Sequence, residues 1–234
     1  MTQRGLSRYR TLSNDLRALG PFFAVKTHVG GESMPAPWQP MTELIKDNGA
    51  LAARVDAVRT GLAQRAGRQP ADVEVRVAAS VAHFGLIARI LAPAIGAIAL
   101  GHRWASLSLD DLWWQNELGG PYPLSIAPRS TTEAPGAGPA VEAITAAMAD
   151  RYTVSHQVLW GNIGSAANSA AQLISTARAD LAITAHAAAD VILTDPRIDG
   201  GVLRAGPLFR RRSCCLIYRL ANDRTAVCGD CILR

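Results

Sequence analysis

The sequence predicts a mainly α-helical fold, a helical domain closed by a C-terminal cysteine-bearing β-hairpin, with a small extended or strand region near residues 20–40. Three observations predict it. Apolar residues recur every three or four positions along most of the chain. Alanine is abundant, which favours helices and their close packing. The period switches from helical to alternating only after residue 213.

The elements follow in chain order. The opening MTQRGLSRYRTLSNDLRALG has no apolar core region and no small-residue cleavage site, so no secretory signal is expected there. Residues 20–40, GPFFAVKTHVGGESMPAPWQP, carry four prolines and read as extended, wrapping the core or forming a short strand pair. Leu51, Val55, Val58 and Leu62 predict an amphipathic helix over 42–66, stopped by GRQP at 67–70. Val77, Val81, Phe84, Ala88 and Leu91 continue the pattern into an apolar run, 77–101. That run is long enough for a membrane span but contains His83, Arg89 and Pro93. A charge at mid-span is costly in hydrocarbon, so the expectation is a buried helix, a kink at the proline and a second helix, with no stable membrane insertion.

Trp113 and Trp114 are expected on a helix just before 119–139, a Gly- and Pro-rich stretch read as a long surface loop. Pro139 suits the first turn of a helix over 139–150. Leu159, Ile163, Ala166, Ala170, Leu173 and Ala177 mark a helix over 154–178. Leu181, Ala185, Ala188 and Ile192 mark another, with Asp180 as its expected N-cap and DPR at 195–197 as its stop. No repeat or linker divides the chain, so 1–234 reads as one domain with a distinct segment at 210–234.

The formal net charge is +5 and the pI about 9.4. Arg204, Arg210, Arg211, Arg212, Arg219, Arg224 and Arg234 crowd the C-terminal end and would attract anions. No nucleic-acid motif accompanies them, so no nucleic-acid partner is expected.

All four cysteines stand in the last stretch, RRRSCCLIYRLANDRTAVCGDCILR. Alternation from Cys215 to Leu220, an Asn222-Asp223 turn and a return through Val227 predict a hairpin. It would set Cys214 and Cys215 beside Cys228 and Cys231. Neighbours in a strand point to opposite faces, so a bulge or strand end at 214–215 must re-aim one of the pair. Gly229 is expected to permit the tight Cys228-x-x-Cys231 turn. An apolar-rich chain needs no disulfides to replace a core, and in a reducing compartment clustered cysteines bind metal. Four thiolates suit structural zinc or an iron–sulfur cluster, and the spacing leaves both open.

RRSCCLIYRL…CGDCIL resembles the C-terminal signature of the FhuF-type ferric siderophore reductases, Cys-Cys, a spacer usually of ten residues, then Cys-x-x-Cys. LWGNIGSA at 159–166 resembles a second segment of that family. Here the spacer is twelve residues, 216–227. An even insertion keeps two strands in step, so the departure is compatible with the same site. The resemblance implies that Cys214, Cys215, Cys228 and Cys231 bind a [2Fe–2S] cluster. It also implies one-electron reduction of a ferric siderophore in the cytoplasm. No acid–base residue or nucleophile is then required.

The chain has no Walker motif, no G-x-G-x-x-G after a strand and no G-x-S-x-G. Electrons are therefore expected from a separate protein such as a ferredoxin. Arg210, Arg211, Arg212 and Arg219 are the candidates to meet the substrate or donor, with Arg212, Ser213 and Arg219 also placed to tune the cluster. Trp113 and Trp114 are candidate stacking surfaces for a large chelate. Trp160 is expected in the core, beside Gly161, Gly164 and Ser165, a stripe read as close helix packing. The five histidines lack metal-ligand spacing and read as structural. Two other classes share the same cysteines: an iron–sulfur sensor, which would need a DNA-binding motif, and a noncatalytic siderophore-binding module with structural zinc.

Overall fold

A computed structural model of the chain describes residues 3–47, 49–127, 136–220 and 227–232. Helix α1 (Gln3–Ala18) leads into two short strands, β1 (Lys26–Thr27) and β2 (Gln39–Pro40). Helices α2 (Ala50–Arg65) and α3 (Val75–Ala99) follow, then β3 (Leu112–Trp114) and β4 (Leu124–Ile126). Helices α4 (Pro139–Arg151), α5 (His156–Ala177) and α6 (Ala182–Leu193) complete the body. The mainly helical fold and the extended region near 20–40 are as the sequence predicts.

Helix α3 is the central element and is covered along most of its length. Its most extensive partner is α5, with α2 and α6 beside it. Small residues bring the helices close. A Cβ at Gly96 would stand 2.9 Å from Leu16 and 3.0 Å from Phe23, so a larger residue there would push α1 and the 20–23 turn away. Leu12 and Leu16 form the buried stripe of α1, a helix not predicted from the sequence, and Leu19 just past its end continues it. By length and composition α3 could cross a membrane, but two-thirds of its apolar window is covered by the rest of the chain.

Several expectations are corrected. Pro93 does not split the 77–101 run; α3 passes through it as one helix. A mid-helix proline costs about 3 kcal/mol, and burial of Ile87, Ile90, Leu91 and Ile95 around it is worth more than that. Arg89, also buried, donates to the carbonyls of Tyr122 (2.8 Å), Phe22 (3.0 Å) and Ala24, tying two irregular segments to the helix. The helix expected over 42–66 begins only at residue 50, after a 3-10 turn, Met41–Ile45. Asp180 is not the N-cap of α6; it lies in a 3-10 turn, Ala179–Leu181, and its carboxylate holds Arg178 at 2.6 Å.

Trp113 and Trp114 lie on strand β3, not on a helix. The 119–139 stretch is not all surface loop, for it supplies β4, buried at every position. The sheet order is β1-β4-β3-β2, so β1 and β2 pair with neighbours and not with each other. β1 runs parallel to β4, while β3 is antiparallel to both β4 and β2.

Candidate metal centre

After α6 the chain is pinned to the body by its own backbone. Asp190 accepts from Ala205 N–H at 2.7 Å, Asn168 from Gly206 N–H at 2.9 Å and Asp199 from Arg212 N–H at 2.9 Å. The hairpin expected beyond this point is corrected for the described residues. Residues 217–220 form a 3-10 turn, and 227–232 contain no strand. The expected turn at Asn222 and Asp223 lies outside the described residues. The pair Cys214-Cys215 is re-aimed not by a bulge but by Leu216, whose φ of 69° reverses the chain. Its N–H then donates back to Cys214 Sγ at 3.3 Å. Cys231 N–H bonds Cys228 O at 3.1 Å, which closes the C-x-x-C turn. Gly229 is exposed and not left-handed, so the turn does not depend on it.

None of the four cysteines is in a disulfide; Cys231 is buried and the others half-buried. Cys215 and Cys228 meet at 3.5 Å. The hydrogen bond from Cys228 favours thiolate at Cys215, brought down to about 6, while Cys228 retains its proton and is pushed up. Burial raises Cys214. The cysteines sense one another's charge, and Arg211 lowers Cys214, Cys215 and Cys228 alike. Among the described residues, no three His, Cys, Asp or Glu side chains converge where a single ion would sit. A two-iron cluster instead divides four thiolates between two irons. Four free thiols, with Cys214 next to Cys215, Cys231 turned back on Cys228 and the two pairs meeting at 3.5 Å, fit that requirement.

The segment is keyed into the body by Arg211. Expected to face a partner, it is instead only 2 % exposed, a correction with a clear cause. Its guanidinium passes beneath the segment into α5, donating to Asn162 Oδ1 (2.9 Å), Val158 O (3.1 Å) and Ser213 Oγ (3.1 Å). Asn162 Nδ2 donates to Ser80 O at 3.0 Å, and Ser80 Oγ donates to Cys215 O at 3.0 Å. A buried polar chain thus runs from Arg211 through α5 and α3 to the ligand loop. His83 flanks it. Thr145 donates to Val141 O, so Thr145 Oγ1 accepts from His83 Nε2–H at 3.0 Å. Gly161 leaves the space that Arg211 and Ser213 need; a Cβ there would fall 2.0 Å from Ser213 Oγ.

The other site candidates are dispersed. Arg210 and Arg212 are exposed beside the site. Arg219 is exposed and paired with Glu74 at 2.5 Å, which fastens the 3-10 turn to the start of α3. Trp114 is fully buried, under the Arg54 guanidinium. Trp113 is half-buried with its edge on His28. Both tryptophans belong to the small sheet, and neither stands in the cysteine segment's network. Trp160 is buried as expected, capped by Arg197 at 3.8 Å.

Two clefts open on the body, the second of them against the segment. One, of about 460 Å³, lies between His156, Gln157 and Trp160 and the loop Arg197–Asp199–Gly200. The other, of about 710 Å³, runs between Leu19–Phe23 and Asn168–Ala177, and its wall includes Asp230 of the C-x-x-C turn. Phe22 and Leu173 are exposed in it, and Gln172 Nε2 is buried with no hydrogen-bond partner among the described residues. Asn162, Ser80 and the Gln172 cleft were missed by sequence reasoning. LWGNIGSA was the available signal, since it contains Gly161, Asn162 and Ser165.

The family model of the FhuF 2Fe-2S C-terminal domain matches residues 211–231, less than a tenth of the chain and the span that holds all four cysteines. No curated protein and no solved structure matches the chain. The C-terminal segment is thus similar to the FhuF 2Fe-2S C-terminal domain, and its cofactor is a [2Fe–2S] cluster.

Proposed function

We propose that this protein reduces a ferric siderophore by one electron in the cytoplasm, releasing ferrous iron, and draws that electron from a ferredoxin-type donor. The observation that carries the reading is the match of 211–231, which holds all four free cysteines, together with the approach of Cys215 to Cys228 at 3.5 Å across it. These thiolates would hold the cluster, which when bound supplies a one-electron carrier. Siderophores hold Fe(III) through hard, anionic oxygens and hold Fe(II) far less tightly, so one added electron releases the metal.

The chain's own residues then have two tasks. They must keep the ligand loop fixed, which the Arg211–Asn162–Ser80 chain does. They must also bring the chelate near. The 710 Å³ cleft is of a size that takes small ligands, and Asp230 in its wall stands between two of the ligand cysteines. Exposed Arg210 and Arg212 are placed to meet an acidic donor protein.

The test is anaerobic. Protein reconstituted with iron and sulfide, reduced with dithionite and freed of excess reductant, is mixed with a ferric siderophore and a ferrous-specific chelator. The expected result is one ferrous iron trapped per reduced cluster, with re-oxidation of the visible spectrum. A reduced cluster that persists in the presence of the siderophore would overturn the proposal, as would stoichiometric zinc without sulfide.

A further inference from the structure

Arg211 is among the largest fully buried side chains of the protein. Among the described residues every acceptor around its guanidinium is neutral: Asn162 Oδ1, Ser165 Oγ, Ser213 Oγ and Val158 O. Among the described residues no carboxylate pairs with it. Removing a charge from water is costly by several kcal/mol unless an opposite charge compensates it. Hydrogen bonds to neutral groups orient the guanidinium but supply no counter-charge. The geometry sets this charge against the cysteine loop from both sides: the guanidinium holds Ser213 Oγ, next to Cys214, at 3.1 Å, and Arg211 N–H bonds Asp230 O, between Cys228 and Cys231, at 3.2 Å.

The charge balance of the loaded site completes the argument. Four thiolates and two sulfides outweigh two ferric ions, so a [2Fe–2S] site is anionic when oxidised and gains one more negative charge on reduction. A fixed cation at its base therefore stabilises the loaded form over the metal-free one, and the reduced form over the oxidised one.

We propose that buried Arg211 is the counter-ion of the cluster site: a positioning residue that couples cluster retention to docking of the 211–231 segment and raises the reduction potential. The inference rests on the cofactor and not on the identity of the substrate, so it stands or falls separately from siderophore reduction.

The experiment compares the full-length protein with Arg211→Met, Arg211→Lys and Asn162→Asp, each in cluster-loaded and metal-free form. Thermal unfolding is followed by far-UV circular dichroism, and reduction potential by dye-mediated titration. A residue that serves only through hydrogen bonds would weaken both forms alike on mutation. A counter-ion gives opposite signs. Arg211→Met should destabilise the loaded protein while leaving the metal-free protein equal or more stable. It should also shift the reduction equilibrium at least tenfold toward the oxidised state, about 59 mV for one electron. Arg211→Lys, which keeps the charge and loses the planar fork, should retain most of the potential. Asn162→Asp is isosteric and supplies a rival carboxylate. It should stabilise the metal-free protein and lower the potential, and it remains informative if Arg211→Met fails to take up the cluster. Equal destabilisation of both forms by Arg211→Met would overturn the proposal. So would an unchanged potential in both the Met and Asp variants.

Discussion

The helical body and the C-terminal segment are held by different forces. In the body, α3 is enclosed by α5, α2 and α6, and its contacts are apolar: Leu86, Ile87 and Ile95 are all but sealed from solvent. In the segment 211–232, one 3-10 turn is the only regular element among the described residues. Its buried groups include the charged Arg211, Ser213 and Cys231. The anchors are polar: Arg211 on α5, Ser80 on Cys215 O, and Glu74 on Arg219. The body can bury its own apolar surface. The segment has no apolar interior of its own, so its order depends on what its thiolates bind, and ligand binding free energy there is folding free energy.

That contrast can be broken or sharpened. The largest effect is expected from removing a ligand. Cys231→Ser should abolish stoichiometric iron and sulfide and open the segment to limited proteolysis within 211–232. The far-UV spectrum of the body should be kept, and a collapse of helicity would show that the two regions are not separable. Next in size, Leu86→Ala should destabilise the body by about 2–5 kcal/mol. Read by chemical unfolding, it should leave iron per folded chain unchanged.

Acid should act on the body through His83. Burial first, and the Arg211 charge second, hold its imidazole down at about 3, against about 6.5 in an unfolded chain. Between those values the unfolded chain binds a proton that the folded chain refuses, so stability falls as pH drops from about 6.5 toward 3. Above that window His83 contributes no pH dependence. His83→Gln should flatten the slope, measured as the unfolding midpoint against pH in the metal-free protein.

A smaller and two-signed effect is expected at Gly161. Alanine there favours helix by up to about 1 kcal/mol, yet its Cβ takes the place of Ser213 Oγ. Gly161→Ala should therefore lose cluster several-fold faster to a chelator while the body melts no lower. The smallest effect belongs to Arg219→Ala. Its exposed pair with Glu74 is screened by water and salt, so the melting midpoint should not move.

The body was largely legible because its signal is local. Leu51, Val55, Val58 and Leu62 declare the buried face of α2 by spacing alone, and Pro139 marks the start of α4. The errors arose where tertiary packing overrides local preference. Pro93 reads as a break in isolation but sits inside a helix whose burial outweighs it. Trp113 and Trp114 look helical in isolation, but pairing with β4, itself drawn from a Gly- and Pro-rich stretch, makes them strand. At the site, the cysteine spacing was legible and the geometry was not. The alternation after Cys214 mimics a strand, while Leu216 takes a left-handed conformation that no alternation rule anticipates. Arg211 stood in a run of three arginines indistinguishable by sequence; its neighbours Arg210 and Arg212 face solvent. Only the cavity beside Gly161 separates them, and that cavity lies 50 residues away along the chain.

The arginine that threads from the cysteine segment into α5 also bears on portability. Residues 211–231 carry every thiolate, and by sequence they look like a cassette. Yet half of the device is built elsewhere, in the small-residue notch of LWGNIGSA and in Ser80 of α3. Transplanted alone onto another helical scaffold, the cassette would bring a cation with no notch to enter and a loop with no anchor. The transferable unit is therefore discontinuous: the tail together with the faces of α3 and α5 that receive it. A designer moving this centre would have to graft all three pieces in register.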